Sequence, residues 1–306
     1  MSDDIEEAFA EVLSPGPAGA ETVEIRGDRA VVTRLPKTVS STDGRGRKVF
    51  VRSYGCGHNT SDGEVMAGLL KEAGYCVTEE MEDDEVEAYL INSCTVKNPS
   101  ESSFRNLVNR CKDKGKAVVV TGCVPQADNK GNQWSDVSVI GVQQIDRVVQ
   151  VVENALAGNI VHVLGRSKQD KPALALPKIR RNRWIEIIPI NLGCLGDCTY
   201  CKTKFARGKL VSYPPEEIVA RVEQCVAEGV REIRLTSEDS GAYGLDIGTD
   251  IVALLEAVLK VIPDGVMLRM GMTNPPYILN RLEGWAMYSY DVCVRFFPHH
   301  TFSRMR

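Results

Sequence analysis

Hydrophobic and polar positions fall into a repeating rhythm from residue 48 onward. Residues 48–55 (KVFVRSYG) are β-rich and end in turn residues, and residues 61–77 follow with Val65, Met66, Leu69, Leu70 and Ala73 at helical spacing. Asp62 stands where an N-cap would and Gly74 where a helix stops. Residues 86–94 (VEAYLINSC) predict a second strand, and a helix follows with Phe104, Leu107, Val108 and Cys111 as inner positions. Residues 117–123 (AVVVTGC) are apolar without alternation, as a strand covered on both faces should be. Residues 136–142 predict a fourth strand and 145–158 a closing helix. Alternating strands and helices predict a parallel α/β domain over 48–158.

The rhythm restarts after a break. Residues 159–183 read as a linker holding Pro172 and Pro177. Strands are then predicted at 184–193, 230–237 and 266–272, with helices at 215–229 and 250–262. A strand–helix unit of roughly 35–40 residues is the repeat of a (β/α) barrel. Residues 1–47 hold nine acidic and six basic residues, three prolines and no sustained period, and are expected to be a disordered tail.

Composition narrows the class. The 306 residues allow about two domains at roughly 150 each. Charged residues are 25% and hydrophobic ones 43%, as in globular chains. No run of about 18 apolar residues predicts a membrane span, and the acidic N-terminus is unlike a signal peptide. A cytoplasmic chain is expected, in which ten cysteines stay reduced and point to metal or redox chemistry. The net charge of −4 requires any nucleic-acid contact to come from a local patch. Two candidates exist: seven Lys/Arg against one Asp over residues 166–183, and Lys202, Lys204, Arg207 and Lys209 further on.

The sharpest signal is Cys194-Leu-Gly-Asp-Cys198-Thr-Tyr-Cys201, three thiols in a glycine-broken loop after a strand. Three thiolates hold three corners of a four-iron cluster and leave one iron open. Structural zinc usually takes a fourth protein ligand, and none stands close by in sequence. Cys56, Cys94 and Cys123 form a second, dispersed set, each at the carboxyl end of a predicted strand. In an open parallel sheet those ends share one edge, where ligands bind. Cys76, Cys111, Cys225 and Cys293 show no such placement and are expected to be packing residues.

A CxxxCxxC loop at the start of a β/α barrel resembles the radical S-adenosylmethionine (SAM) enzymes. Residues 191–219 (NLGCLGDCTYCKTKFARGKLVSYPPEEIV), with INSCTVKNPSE, LTSEDSGAYGLD and RMGMTNPPYI, are similar to the methylthiotransferase branch of that superfamily. Within it the chain looks most like the archaeal and eukaryotic enzymes that act on N6-threonylcarbamoyladenosine beside the tRNA anticodon. The resemblance covers roughly residues 48–280. It implies an N-terminal methylthiotransferase domain (48–158), a basic linker (159–183) and part of a radical-SAM barrel (184–280).

The resemblance also implies roles. Cys194, Cys198 and Cys201 would hold the radical-generating [4Fe-4S] cluster, whose open iron takes SAM. Cys56, Cys94 and Cys123 would hold an auxiliary [4Fe-4S] cluster that carries the sulfur, and a second SAM would supply the methyl group. A radical is needed because the adenine C2–H bond is unreactive, so a cofactor carries the hard chemistry. Ser237 and Glu238 follow a barrel strand at its carboxyl end and are candidates for contact with the cofactor, as is Tyr200 inside the cluster loop. Arg180, Arg181, Arg183, Lys202, Lys204 and Arg207 are candidates for contact with tRNA phosphates. An electron donor and a sulfur source are implied but not identified.

After Asn280 the resemblance stops, and residues 281–306 are expected to be a divergent tail that does not continue the barrel. About three barrel strands are predicted where the family's barrel has more. The expectation is a truncated product without the endoplasmic reticulum anchor that the resemblance implies for eukaryotic members. Two functions follow: a tRNA methylthiotransferase, or a non-catalytic iron–sulfur protein that keeps the clusters and tRNA binding.

Overall fold

A computed structural model describes residues 24–26, 29–31, 46–95, 98–127, 132–165, 171–199, 201–279 and 292–294. The first unit is built on six parallel strands: β1 (Lys48–Ser53), β2 (Cys76–Thr78), β3 (Val86–Ser93), β4 (Ala117–Gly122), β5 (Ser138–Ile140) and β6 (His162–Val163). They lie in the order β2-β1-β3-β4-β5-β6. Val49, Leu90, Val119 and Ile140 face helices α1 (Gly57–Glu72) and, beyond α2 (Asn98–Asp113) and α3 (Cys123–Ala127) in the chain, α4 (Val148–Leu156). Phe50, Tyr89, Ile91 and Val120 face α2 and pack with Phe104 and Val108. Period-two alternation thus feeds two cores, one per face. The sequence predicts four of these strands; β2 and β6, three and two residues long, are too short to form a run.

The order reverses between β1 and β3, since the chain leaves β1 for β2 on one side and returns to β3 on the other. Such a switch point opens a crevice at the carboxyl ends of the strands. Cys56 follows β1 and Cys94 follows β3 at this crevice.

The second unit begins with β7 (Ile185–Pro189). It continues through the antiparallel pair β8 (Asn191–Leu192) and β9 (Val211–Ser212), with α5 (Thr203–Arg207) between them. Next come α6 (Pro215–Ala227), β10 (Glu232–Thr236), α7 (Ile251–Leu259), β11 (Met267–Met270), α8 (Pro275–Ile278) and β12 (Val292–Val294). Strands β12, β11, β10 and β7 form a parallel sheet in that order. Its Ile188, Ile233, Leu235, Leu268 and Met270 pack on Ile218, Val222, Leu254 and Val258 of α6 and α7. β12 corrects the expectation that residues 281–306 add nothing to the barrel, because Leu268 pairs with Val292 and Met270 with Val294. The apolar, β-branched Val-Cys-Val triplet suits a parallel strand; the rest of that segment lies outside the described residues.

Strand β7 lies at an edge of this sheet, and an edge exposes unpaired backbone groups. Here the Ile187 carbonyl accepts from Ser61 Oγ at 3.2 Å and from Lys178 Nζ at 2.6 Å. Helix α1 of the first unit therefore covers the edge of the second. Residues 177–181, within the predicted linker, lie along the same helix: Ile179 N donates to Glu64 O at 3.0 Å and Arg181 N to Glu64 Oε1 at 3.1 Å. A Cβ on Gly68 would meet the Pro177 carbonyl at 2.3 Å, so a glycine is required for this approach.

Two other expectations change. The N-terminal tail contains a short antiparallel hairpin, Glu24–Arg26 with Arg29–Val31. Gly27-Asp28 between its strands is a recognised turn signal. Helix α1 starts at Gly57, so Asp62 lies inside it and is not its N-cap. Among the described residues no helix is long and apolar enough to cross a membrane.

Candidate functional site

The first cysteine set gathers at the switch point. Cys56 is the N-cap residue of α1, Cys94 follows β3 directly, and Cys123 opens α3. A helix N-terminus favours a thiolate over a thiol. Gly55, with φ +109°, presses on Cys94: a Cβ there would stand 2.2 Å from Cys94 Cβ and 2.6 Å from its Sγ. The Asn59 amide ties the set together. Its Nδ2 donates to Tyr54 O at 2.8 Å and Ser93 O at 2.6 Å, which fixes which end is oxygen. Its Oδ1 lies 4.0 Å from Cys56 Sγ and 3.7 Å from Cys123 Sγ.

Burial, then the Glu238 carboxylate, pushes the Cys56 thiol up to about 12, and burial pushes Cys123 up to about 11. Arg207 opposes both shifts. Its side chain is buried, and its Nη2 donates to Asn59 Oδ1 and Asp62 Oδ2, each at 2.7 Å. Its Nε lies 3.3 Å from Glu238 Oε1 without the alignment of a hydrogen bond. His58 completes the cluster: Nε2–H donates to Asn191 O at 2.8 Å, and Nδ1 faces Glu238 Oε1 at 3.7 Å. Burial, with Arg207 nearby, lowers the His58 pKa to about 4, so the ring is neutral.

The second set lies in the loop after β8. Gly196 lies beside two of its thiols: a Cβ there would be 3.7 Å from Cys194 Sγ and 3.8 Å from Cys198 Sγ, in ordinary contact with both. Tyr277 Oη would stand 3.9 Å from the same point. Burial, more than any charge, raises the Cys194 thiol, with Asp239, Cys201 and Glu238 adding to it. Glu238 therefore adds to the raised thiols of both Cys56 and Cys194. Cys198 is exposed, and Cys194 and Cys201 are half-buried.

Donor chemistry fits iron–sulfur ligation at both sets: each offers thiols alone, three per set, beside glycines that leave space. Among the described residues no group of three His, Cys, Asp or Glu side chains is arranged to hold a single metal ion.

The other candidates divide. Ser237 is buried, donates from Oγ to Asn191 Oδ1 at 2.7 Å, and accepts from Asp239 N at 2.9 Å. Glu238 turns toward Arg207 and His58, and burial raises its carboxyl. The next residue, Asp239, accepts from Asn274 Nδ2 through Oδ2 at 3.0 Å and from Asn274 N through Oδ1 at 3.1 Å. Tyr200 lies outside the described residues. Arg181, Arg183 and Lys202 are exposed; Arg183 stacks 4.2 Å over the Trp184 ring, and Arg181 also pairs with Glu79 at 3.1 Å. Lys204 pairs with Asp197. Arg180 is bound to Glu186 and Glu228, and Arg207 to Asp62 and Glu238, so neither charge is offered to an RNA phosphate. Cys111 and Cys225 are core residues as expected, whereas Cys76 is exposed on the edge strand β2.

Sequence reasoning missed His58, Asn59 and Asp62. Their signal was a run of polar residues, HNTSD, directly after Cys56-Gly57, where an ordinary amphipathic helix would alternate with apolar ones.

Residues 48–140 match the family model described as "Uncharacterized protein family UPF0004", and residues 188–289 match the Radical SAM superfamily. The chain is 55% identical over 245 residues to the Threonylcarbamoyladenosine tRNA methylthiotransferase of Xenopus laevis, covering 78% of this chain and 44% of that protein. The Homo sapiens protein of the same name is 54% identical over 78% of this chain and 42% of its own length. A "Probable threonylcarbamoyladenosine tRNA methylthiotransferase" of Pyrococcus abyssi is 40% identical over 77% of this chain and 55% of its length. The chain thus spans about half the length of the curated relatives it matches, or less. In fold it is similar to TsrM of Kitasatospora setae, a radical S-adenosylmethionine methyltransferase, with a TM-score of 0.55 at 14% identity, covering 83% of this chain and 60% of that one. The chain belongs to the radical-SAM methylthiotransferase family, on the branch of the archaeal and eukaryotic threonylcarbamoyladenosine tRNA methylthiotransferases.

Proposed function

We propose that the chain acts in converting N6-threonylcarbamoyladenosine, next to the tRNA anticodon, to its 2-methylthio derivative. The observation that carries this reading is the placement of one cysteine triplet at the carboxyl ends of the first parallel sheet and of the other in the loop after β8, with Arg207, just beyond that loop, bound to Asn59 beside the first. Cys194, Cys198 and Cys201 are the ligands of the radical-generating [4Fe-4S] cluster. Cys56, Cys94 and Cys123 are the ligands of an auxiliary one. Loaded with clusters and SAM, such a site supplies a radical that breaks an inert C–H bond, and the sulfur and methyl that replace the hydrogen.

The chain's own residues position and enclose. The domains are those of the sequence reading: 48–158 for the auxiliary site, 184–280 for the radical site, and 159–183 binding the two together. Ser237 fixes the loop that carries Glu238 and Asp239. Arg181, Arg183, Lys202 and Lys204 form the tRNA face, where phosphate contacts give affinity without reading sequence. The reaction belongs to the cytoplasmic side of the cell.

A non-catalytic iron–sulfur protein is the competing reading. The names of the relatives and the radical-SAM match favour the enzyme. Anaerobic reconstitution followed by iron and sulfide analysis tests the site. About eight irons per chain are expected, and about four are lost on Cys94→Ala and on Cys194→Ala. Mass spectrometry of nucleosides from tRNA incubated with SAM and a reductant then tests the reaction. Full iron with no methylthio nucleoside favours the non-catalytic reading, and no iron sinks both.

A further inference from the structure

Arg207 is a buried cation that the cluster loop sends into the other half of the molecule. It sits six residues after Cys201, at the end of α5, yet its partners Asn59 and Asp62 belong to α1. Only Nη2 has hydrogen-bond partners; Nε and Nη1 are buried with none. Orphaned donors on a buried guanidinium are costly, and a native structure rarely keeps them without a use. The neighbours of this guanidinium include the thiols of Cys56 and Cys123, with the Asn59 amide held against both. Arginine holds its charge at any accessible pH, and its planar fork can serve several acceptors at once.

We propose that Arg207 is a positioning residue of the auxiliary site: it locks the Asn59 amide between Cys56 and Cys123 and directs its fixed charge and the two N–H donors of Nη1 at the sulfur-rich group those cysteines hold. The inference rests on the reading of that triplet as a cluster site. Asp62 anchors the guanidinium from behind, which explains a buried carboxylate well inside a helix. Reduction adds one negative charge to a cluster, and a nearby cation in a dry site favours it. The two cysteine sets are then coupled through one side chain, because the loop that carries the second set also carries the cation of the first.

The test is a redox titration of the anaerobically reconstituted full chain, following each cluster by electron paramagnetic resonance, with iron content measured in parallel. Arg207→Gln is expected to shift the auxiliary midpoint to more negative potential and leave the other cluster's midpoint in place. Arg207→Lys keeps the charge and restores most of the shift. Asp62→Asn, which removes the counter-charge hydrogen-bonded to the guanidinium and leaves Glu238, is expected to move the auxiliary midpoint the opposite way. Full iron with an unmoved auxiliary midpoint in Arg207→Gln overturns the proposal, as do equal shifts at both clusters. If Arg207→Gln does not fold, Asp62→Asn decides alone, and an unmoved midpoint there overturns it. Wild-type chain that binds only about four irons, with Cys94→Ala losing none, instead defeats the two-cluster reading itself.

Discussion

Lys178 Nζ stands 2.8 Å from Glu186 Oε1, with side-chain exposures of 4% and 0%. The same ammonium donates to Ser61 Oγ at 2.9 Å, so one pair joins the linker, the first strand of the barrel and α1. Arg221 Nη2 reaches the same oxygen at 3.1 Å, and Arg180 takes the other. Three cations thus surround one carboxylate at the seam of the two units.

Replacing that carboxylate should be costly. Glu186→Gln leaves three cations in a buried site, and a loss of about 3–5 kcal/mol is expected from breaking a buried ionic group on one side. Urea unfolding with an unchanged m-value checks it; a loss below about 1 kcal/mol would mean the seam does not depend on this charge.

The same carboxylate gives a pH dependence. Burial alone would raise it, but Lys178 and Arg221, with hydrogen bonds from Lys178 and Arg180, bring it down to about 2 from 4.5. A depressed pKa stabilises the fold fully above the unfolded value and loses that contribution as pH falls through the folded one. Thermal unfolding between pH 4.5 and 2 should therefore fall more steeply for the wild type than for Glu186→Gln. Parallel curves would refute the assignment.

Gly55→Ala probes the first triplet without touching a thiol. The new methyl would stand 2.2 Å from Cys94 Cβ, at a φ of +109° that alanine rarely adopts. About four irons should be lost on reconstitution while the second set keeps its cluster. Full iron content would show that Cys94 is not a ligand, or that the loop yields easily.

Arg183→Ala and Lys202→Ala test the RNA face. Each should weaken tRNA binding and reduce the salt slope of log K by about 1, without changing iron content. Arg180→Ala should act on stability instead, since its charge is held by Glu186 and Glu228.

Much of this arrangement is legible in the sequence, and what is not has a common cause. Strand ends could be placed from apolar runs and turn residues, and with them Cys56, Cys94 and Cys123. Local pattern cannot reveal a partner 145 residues away, which is why Asp62 reads as a helix cap and Arg207 as part of a surface patch. A run of lysines and arginines looks alike whether it meets water or a buried carboxylate. Val292–Val294 escaped because a three-residue strand is defined by its neighbour β11, not by its own composition. Asp239 was visible as a loop acid, but only the turn that follows β10 brings Asn274 onto its carboxylate.

Helix α1 belongs to the first unit by sequence and to both by burial. Ser53 and the sheet press on it at Gly63, where a Cβ would be 2.0 Å from Ser53 Oγ, while Pro177 presses at Gly68. A helix clamped in this way is a spacer of fixed width. The separation between the first sheet and the edge strand β7 is then a built dimension of the molecule, set by one helix rather than by the strands on either side.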